Sequence, residues 1–202
     1  MTSRPLFPHK PTIAGELLIL RPFMELDIEC MGPILADPDV IRLTGSANST
    51  REIEAANPLL DERTLDWYRT RAEKPDRLDL AVIDRANGRC VGEVVLNEWS
   101  PDDRCCNFRI LIGPAGRNRG IGSEATRLTI DYAFANSPLH RIGLSVFAFN
   151  PRARRVYEKA GFIYEGTRRE AFRFDGTYVD DDIMAILRSD WENMRLPRHS
   201  AG

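Results

Sequence analysis

The sequence has no surplus of either charge. Lys and Arg number 28 against 30 Asp and Glu, a formal net charge of −2 at pH 7. The arginines gather only in short patches such as Arg152, Arg154, Arg155 and Arg168–Arg169. A nucleic-acid binder shows a basic excess or stripe that neutralises phosphates, so no nucleic-acid partner is expected. Cysteine is scarce. Cys30, Cys90, Cys105 and Cys106 include no Cys-x-x-Cys pair and no nearby His at zinc-ligand spacing, so no metal site is expected. These thiols read as small buried side chains in a reducing compartment. If 105–106 lies in a strand, its two thiols point to opposite faces. Long apolar runs are missing as well. The N-terminal "MTSRPLFPHKPT" lacks the apolar core of a signal peptide, and no stretch is long enough to span a bilayer. A cytoplasmic protein with no membrane partner is the expectation. Neither an internal repeat nor a low-complexity segment is present.

What is present suits one domain. The 202 residues are 43% hydrophobic, enough for one substantial core. Residues 1–12, with three prolines, read as an N-terminal tail, 13–190 as the domain and 191–202 as a C-terminal tail. A short strand is predicted at Gly15–Phe23 and a helix after it, which Pro33 should kink or break. Residues 43–60 read as a long loop with at most a fragment of helix, and a further helix is predicted over Asp61–Ala72, capped by Asp61. Three strands follow, turned by Asn87-Gly88 and by "SPDDR". Counting from the second turn sets Asn97 opposite Asn107 and Glu93 opposite Leu111. One face then carries Val94, Leu96, Phe108, Ile110 and Ile112, and the other Glu93, Val95, Asn97, Asn107 and Arg109. After a glycine loop come a helix (Ser123–Ala135), a strand (Arg141–Phe149), a helix opened by Asn150-Pro151 and ended by Gly161, and two strands around Asp175-Gly176. The order defines an α+β fold with a mixed sheet.

The loop "GPAGRNRGIGSEA" (Gly113–Ala125) holds two overlapping phosphate signatures. Gly120, Gly122 and Ala125 approximate a dinucleotide fingerprint, and Arg117, Gly120 and Gly122 form Arg-x-x-Gly-x-Gly. Glycines before a helix let an anion approach unpaired first-turn N–H groups where the helix dipole favours negative charge. Arg117 and Arg119 can add charge-assisted contacts. A plain helix start gives the same glycines, and that reading stays open. A dinucleotide loop follows the first strand of a βαβ unit and has an acidic residue about 20 positions on. Here the loop follows an antiparallel meander, and "SVFAFN" occupies the acidic position. No Gly-Lys-Ser/Thr follows, which excludes a nucleoside-triphosphate loop.

With "RNRGIG", the preceding "FRILIGP", the later "NPRARRVYEKAGF", the closing "GTYVDDDIMAIL" and "GELLILRP" near the start, residues 14–188 resemble the GNAT superfamily of acetyl-CoA-dependent N-acetyltransferases. Within it they look like the RimJ/RimL branch. The resemblance implies a mostly antiparallel sheet of about seven strands flanked by helices, splayed between the fourth and fifth. It also implies transfer of acetyl from acetyl-CoA to a primary amine, either a protein N-terminus or a small molecule, by direct attack. An edge-strand homodimer would fit the family.

The resemblance further implies roles for individual residues. The amides of Arg117, Asn118, Arg119, Gly120, Ile121, Gly122 and Ser123 would bind the CoA pyrophosphate. Ile110, Leu111 and Ile112 would pair with the pantetheine arm, with an N–H at about Leu111 polarising the thioester carbonyl. Asn150 would bond the pantetheine, although Asn before Pro is also a plain helix cap. Arg154 would complete the CoA-contacting set. Tyr157 matches the tyrosine that protonates the leaving thiolate, yet it also belongs to a core stripe with Ala153, Val156 and Ala160. Glu93 is the candidate base, with a purely structural carboxylate as the alternative. Asn107 stands where the branch often has Glu, and it cannot act as a base. That departure keeps a non-catalytic acyl-CoA sensor, or a transferase for a longer acyl-CoA, in view. His140 reads as a surface residue. Acidic residues including Asp180–Asp182 could line an acceptor cleft.

Overall fold

The Asn87-Gly88 turn folds Leu78–Asp84 (β3) back onto Cys90–Ser100 (β4), and the next turn adds Cys105–Ile112 (β5). Asn97 lies opposite Asn107 and Glu93 opposite Leu111, as the turn count predicts. Val94, Leu96 and Phe108 are buried on one face, with Ile110 and Ile112 packed against the same cluster. The structure is a computed structural model describing residues 6–196. Its single sheet also contains β1 (Ile13–Ala14), β2 (Leu18–Arg21), β6 (Arg141–Phe147), β7 (Ile163–Phe174) and β8 (Thr177–Leu187), in the order β1-β2-β3-β4-β5-β6-β8-β7. The two-residue β1 is the strand the sequence pattern does not announce.

Helices cover both faces, and each encloses a core. On one side α5 (Ile121–Asn136), α6 (Pro151–Lys159) and α7 (Arg188–Arg195) supply Ile130, Phe134, Tyr157 and Trp191 to the cluster holding Leu80, Val94 and Ile142. On the other side α1 (Glu25–Leu35), α2 (Pro38–Thr44) and α4 (Glu62–Thr70) bring Ile28, Met31, Val40 and Tyr68 against Ala81 and Ile83. Asp61 caps α4 through Thr64 N–H, 2.8 Å. Pro33 neither breaks nor ends α1. The helix runs through it and stops at Leu35, although the proline lacks the N–H that would bond the Glu29 carbonyl one turn back. α2 ends at Thr44, where the long loop begins, and the loop carries the five-residue α3 (Thr50–Glu54) within it. Its Thr50 and Asn48 bond Asp175 and the Arg173 carbonyl in the β7–β8 hairpin.

Both ends of the chain depart from the tail reading. Leu6 and Phe7 are buried. Lys10 Nζ donates to the carbonyls of Phe7 (3.0 Å), Lys74 (2.8 Å) and Arg77 (2.5 Å), clipping this segment across the start of β3. At the other end Trp191 packs on Phe134, 5.6 Å between ring centres, and its Nε1 donates to Asp131 at 2.7 Å. The apolar side chains Leu6, Phe7 and Trp191 dock these segments, which composition alone reads as loose. Residues 1–5 and 197–202 lie outside the described residues. Among the described residues no helix is long and apolar enough to cross a membrane.

The contact that positions the site is the one between β5 and β6. It is the sheet's parallel junction, and it pairs only Cys105 with Arg141, Cys106 with Ile142 and Asn107 with Gly143. Beyond Asn107 the two strands part.

Candidate active site

The parted strands leave a cavity of about 310 Å³ walled by β5, β6, α2 and α6. Strand alternation fixes which backbone groups line it. The Gly113 N–H donates to Val91 O at 2.8 Å, so 113 and 91 form a hydrogen-bonded pair. Such pairs alternate along an antiparallel ladder. With the register sustained from Gly92–Ile112 to Asn97–Asn107, Leu111 turns its N–H and C=O to β4, and Ile110 and Ile112 turn theirs to the gap. The Ile112 carbonyl is indeed free to accept Arg117 Nε, 3.1 Å. Leu111, where a polarising N–H is expected, therefore turns that group to β4, and its neighbours Ile110 and Ile112 face the gap. Period-two alternation does this, and the sequence could not supply its phase.

At the mouth of the gap the loop enters α5 through Gly120, whose φ of +81° lies in the left-handed region that glycine tolerates. No side chain caps this helix. Glu124 N–H closes the first turn on Gly120 O at 3.0 Å, so the N–H groups of Ile121, Gly122 and Ser123 have no acceptor within the helix. A Cβ on Gly122 would have its nearest neighbour, Ile112 Cγ1, at 3.6 Å. The fold admits a side chain there, and one would stand in the opening between the free edge of β5 and the helix terminus. Unpaired strand edge, uncapped helix start and bare Gly122 fit an extended acyl carrier ending in a pyrophosphate.

The arginines of the loop do not serve as expected. Arg117 is held by Asp37 and by Asp39 (2.9 Å) at the start of α2 as well as by Ile112 O. Arg119 pairs with Asp84 at 2.6 Å, a hydrogen bond that holds the Asp84 carboxyl below its usual range. Both guanidinium groups engage protein carboxylates and brace the loop. Asn118 has a φ of +61°, part of the same turn. Arg154 is likewise engaged, with Glu158 (3.1 Å) and Asp182 (2.5 Å).

Tyr157 lies in the cavity wall, 8% exposed, edge-on to Phe108 at 6.3 Å. Burial pushes its phenol up to about 12. Asn150 also borders the cavity and caps α6 through Ala153 N–H, 3.1 Å; its Oδ1 is spent on the cap. Asn107 donates to Asn97 at 3.0 Å across the hairpin. His140 is exposed at the far end of β6. Glu93 faces the cavity, but its Oε2 accepts from Tyr68 (3.3 Å) and from Arg71. Arg71 is 3% exposed, stacked against the Phe23 and Tyr68 rings at 4.3 and 4.2 Å. Burial opposes its charge, but Glu93 and Asp79 outweigh this and raise its pKa. Glu93 is thus half of a structural ion pair. The sequence gives no sign of this, because Arg71 is 22 residues away on another element.

One group carries more than its sequence signal. Of the run Asp180–Asp182, Asp182 turns to Arg154 on α6 and Asp180 bonds Glu170 N–H at 2.8 Å. Asp181 turns to the opposite face and enters the cavity wall. Only the strand register separates the three.

With this geometry in place, comparison with known proteins defines the class. Residues 18–163 match the acetyltransferase (GNAT) domain, and the chain belongs to the GNAT family of acetyltransferases, enzymes that take acetyl-CoA as cosubstrate. Spermidine N(1)-acetyltransferase of Vibrio cholerae is 35% identical over 112 residues, 55% of this chain and 65% of that protein, just under two thirds of its length. L-amino acid N-acetyltransferase AaaT of Escherichia coli K12 is 33% identical over 125 residues, 60% of this chain and 75% of that protein. Among solved structures, spermidine N-acetyltransferase from Vibrio cholerae, in complex with CoA and spermine, superposes with a TM-score of 0.74 at 25% identity. The match covers 89% of this chain and all of that one (100%). A GNAT acetyltransferase from Bacillus anthracis gives 0.73 at 23% identity, over 89% and 99% of the two chains, a likeness of fold.

Proposed function

We propose that the chain transfers acetyl from acetyl-CoA to a primary amine by direct attack, with the thioester seated in the gap between β5 and β6. The carrying observation is the alignment of the free edge at Ile110 and Ile112 with the uncapped start of α5 at Ile121, Gly122 and Ser123. On this reading the pantetheine pairs with Ile110 and Ile112, and an N–H of that edge meets the oxygen that gains charge during attack. The pyrophosphate rests on the α5 amides, and Tyr157 steadies the departing thiolate. The relatives act on spermidine and on amino acids, and this proposal extends their common feature, a primary amine, to the acceptor here. Assignment to the branch that contains RimJ and RimL, many of whose members act on unrelated amines, belongs to the same proposal.

A second reading, an acyl-CoA binder without turnover, draws on the engagement of Glu93 by Arg71 and on Asn107. Two measurements separate them. Titration calorimetry is expected to give acetyl-CoA binding at about micromolar Kd, near −8 kcal/mol, abolished in Gly122→Val while the fold survives. Unchanged binding in that variant would remove the cofactor site. Thiol release with a panel of primary amines distinguishes an enzyme from a sensor.

A further inference from the structure

We propose that Asp181 is the acceptor-side carboxylate of this enzyme: its free Oδ1 binds the incoming amine as an ammonium and takes a proton from it. The inference rests on the acetyltransferase reading above and supplies the base that Glu93, tied to Arg71, does not provide.

Asp181 is 3% exposed, and its Oδ2 accepts from Arg168. Its Oδ1 is a buried oxygen with no hydrogen-bond partner among the described residues; Arg71 Nε is the other such atom. A buried carboxylate oxygen without a donor is costly, and native folds rarely leave one without a reason. Arg71 Nε has an explanation, since Asp79 lies 3.7 Å away as an ion-pair partner. The oxygen of Asp181 has none among the described residues, and the residue sits in the wall of the cavity. The other two carboxylates of that wall are engaged, Glu93 by Arg71 and Tyr68, and Asp39 by Arg117.

Position supports the same role. Asp181 lies directly across from Phe147, the last residue of β6, so it flanks the strand that borders the gap. Phe147 and Asp181 lie on the sheet face that also carries Glu93, Leu111 and Arg109, opposite the face where Tyr157 and α5 pack. An amine held at Oδ1 therefore approaches from one face, and the leaving sulfur is met by Tyr157 on the other.

The proton balance closes with these groups. An alkyl amine with a pKa near 10.4 is neutral in only about one molecule in a thousand at neutral pH. The acceptor enters as R–NH₃⁺ held at Asp181 Oδ1, and one proton passes to that oxygen as the nitrogen lone pair forms the C–N bond at the thioester carbonyl. As the tetrahedral species collapses, the C–S bond breaks with its electron pair on sulfur. The second nitrogen proton offsets the charge of the thiolate, which leaves as CoA thiol. Asp181 releases its proton to solvent, so amide, thiol and one proton are the products. The ligand class is a primary alkyl amine presented as a cation.

The test is thiol release from acetyl-CoA at neutral pH with spermidine, amino-acid amides and short peptides as acceptors, together with acetyl-CoA calorimetry. Asp181→Asn is expected to lower kcat/KM for amines by roughly 100-fold or more, the usual contribution of a positioned base, with acetyl-CoA affinity retained. In Asp181→Ala, added formate is expected to restore part of the turnover, which a structural carboxylate would not show. Full activity of Asp181→Asn, or an inactive Asp181→Ala that binds acetyl-CoA and gains nothing from formate, overturns this inference alone. If the asparagine variant does not fold, the formate experiment decides. Absence of turnover in the wild-type chain with every amine overturns both this inference and the enzyme reading.

Discussion

Tyr157 is the residue where packing and the proposed chemistry meet. Its ring completes the aromatic group with Phe108 and Phe162, at 6.3 and 5.9 Å, and its hydroxyl shares the cavity wall. Burial lifts the phenol to about 12, whereas a thiol titrates near 8.5. Complete proton transfer to a thiolate would run uphill by roughly 5 kcal/mol. A hydrogen bond to the charged sulfur costs no such transfer and is worth about 1.5–3 kcal/mol. Tyr157→Phe is therefore expected to lower kcat by roughly 10- to 100-fold, with acetyl-CoA affinity intact by calorimetry. The same shift predicts a pH effect on stability. Because the folded value lies above the ordinary value near 10, this contribution is fully present below pH 10 and is lost as pH rises toward 12. The loss amounts to roughly 3 kcal/mol. Urea unfolding should show that alkaline decline in the wild-type chain and a shallower one in the phenylalanine variant. The helical spacing of Tyr157 was legible, but its spacing alone could not say which of the two roles it fills.

At the scale of elements, the loop before α5 was the most legible part of the site. Its glycines announce an anion, and Gly120 does take the left-handed conformation that a turn into a helix needs. Its arginines mislead, because a charged side chain beside a phosphate loop looks like a ligand until its partners are known. Arg117 ties the loop to α2 instead, reaching Asp37, the N-cap of that helix. The link to Asp39 adds little, since that carboxylate is 69% exposed. Arg117→Ala is expected to lower stability by about 1–3 kcal/mol, through the partly buried Asp37 left without its partner, and to weaken acetyl-CoA binding less than Gly122→Val does. Denaturant midpoints and calorimetry check the two halves. Loss of binding with stability unchanged would return Arg117 to the phosphate.

At the scale of the whole molecule, the sequence read well where contacts are local. The β3–β4–β5 meander, its register and the capped α6 follow from turn residues and alternation over short spans. Long-range placements were hidden: Arg71 beneath Glu93, Phe7 in the core and Asp181 in the cavity wall all depend on how distant segments meet. The phase of the β5 backbone was hidden too, because composition does not tell which amide faces which neighbour. In the proposed function, that phase makes Ile110 and Ile112 the edge along which acetyl-CoA lies. Amide hydrogen exchange with and without acetyl-CoA tests it most directly. Added protection is expected at Ile110, Ile112, Gly122 and Ser123, with little change at Leu111, already bonded within the β4–β5 ladder. Protection gained at Leu111 while Ile110 and Ile112 exchange as before would contradict it.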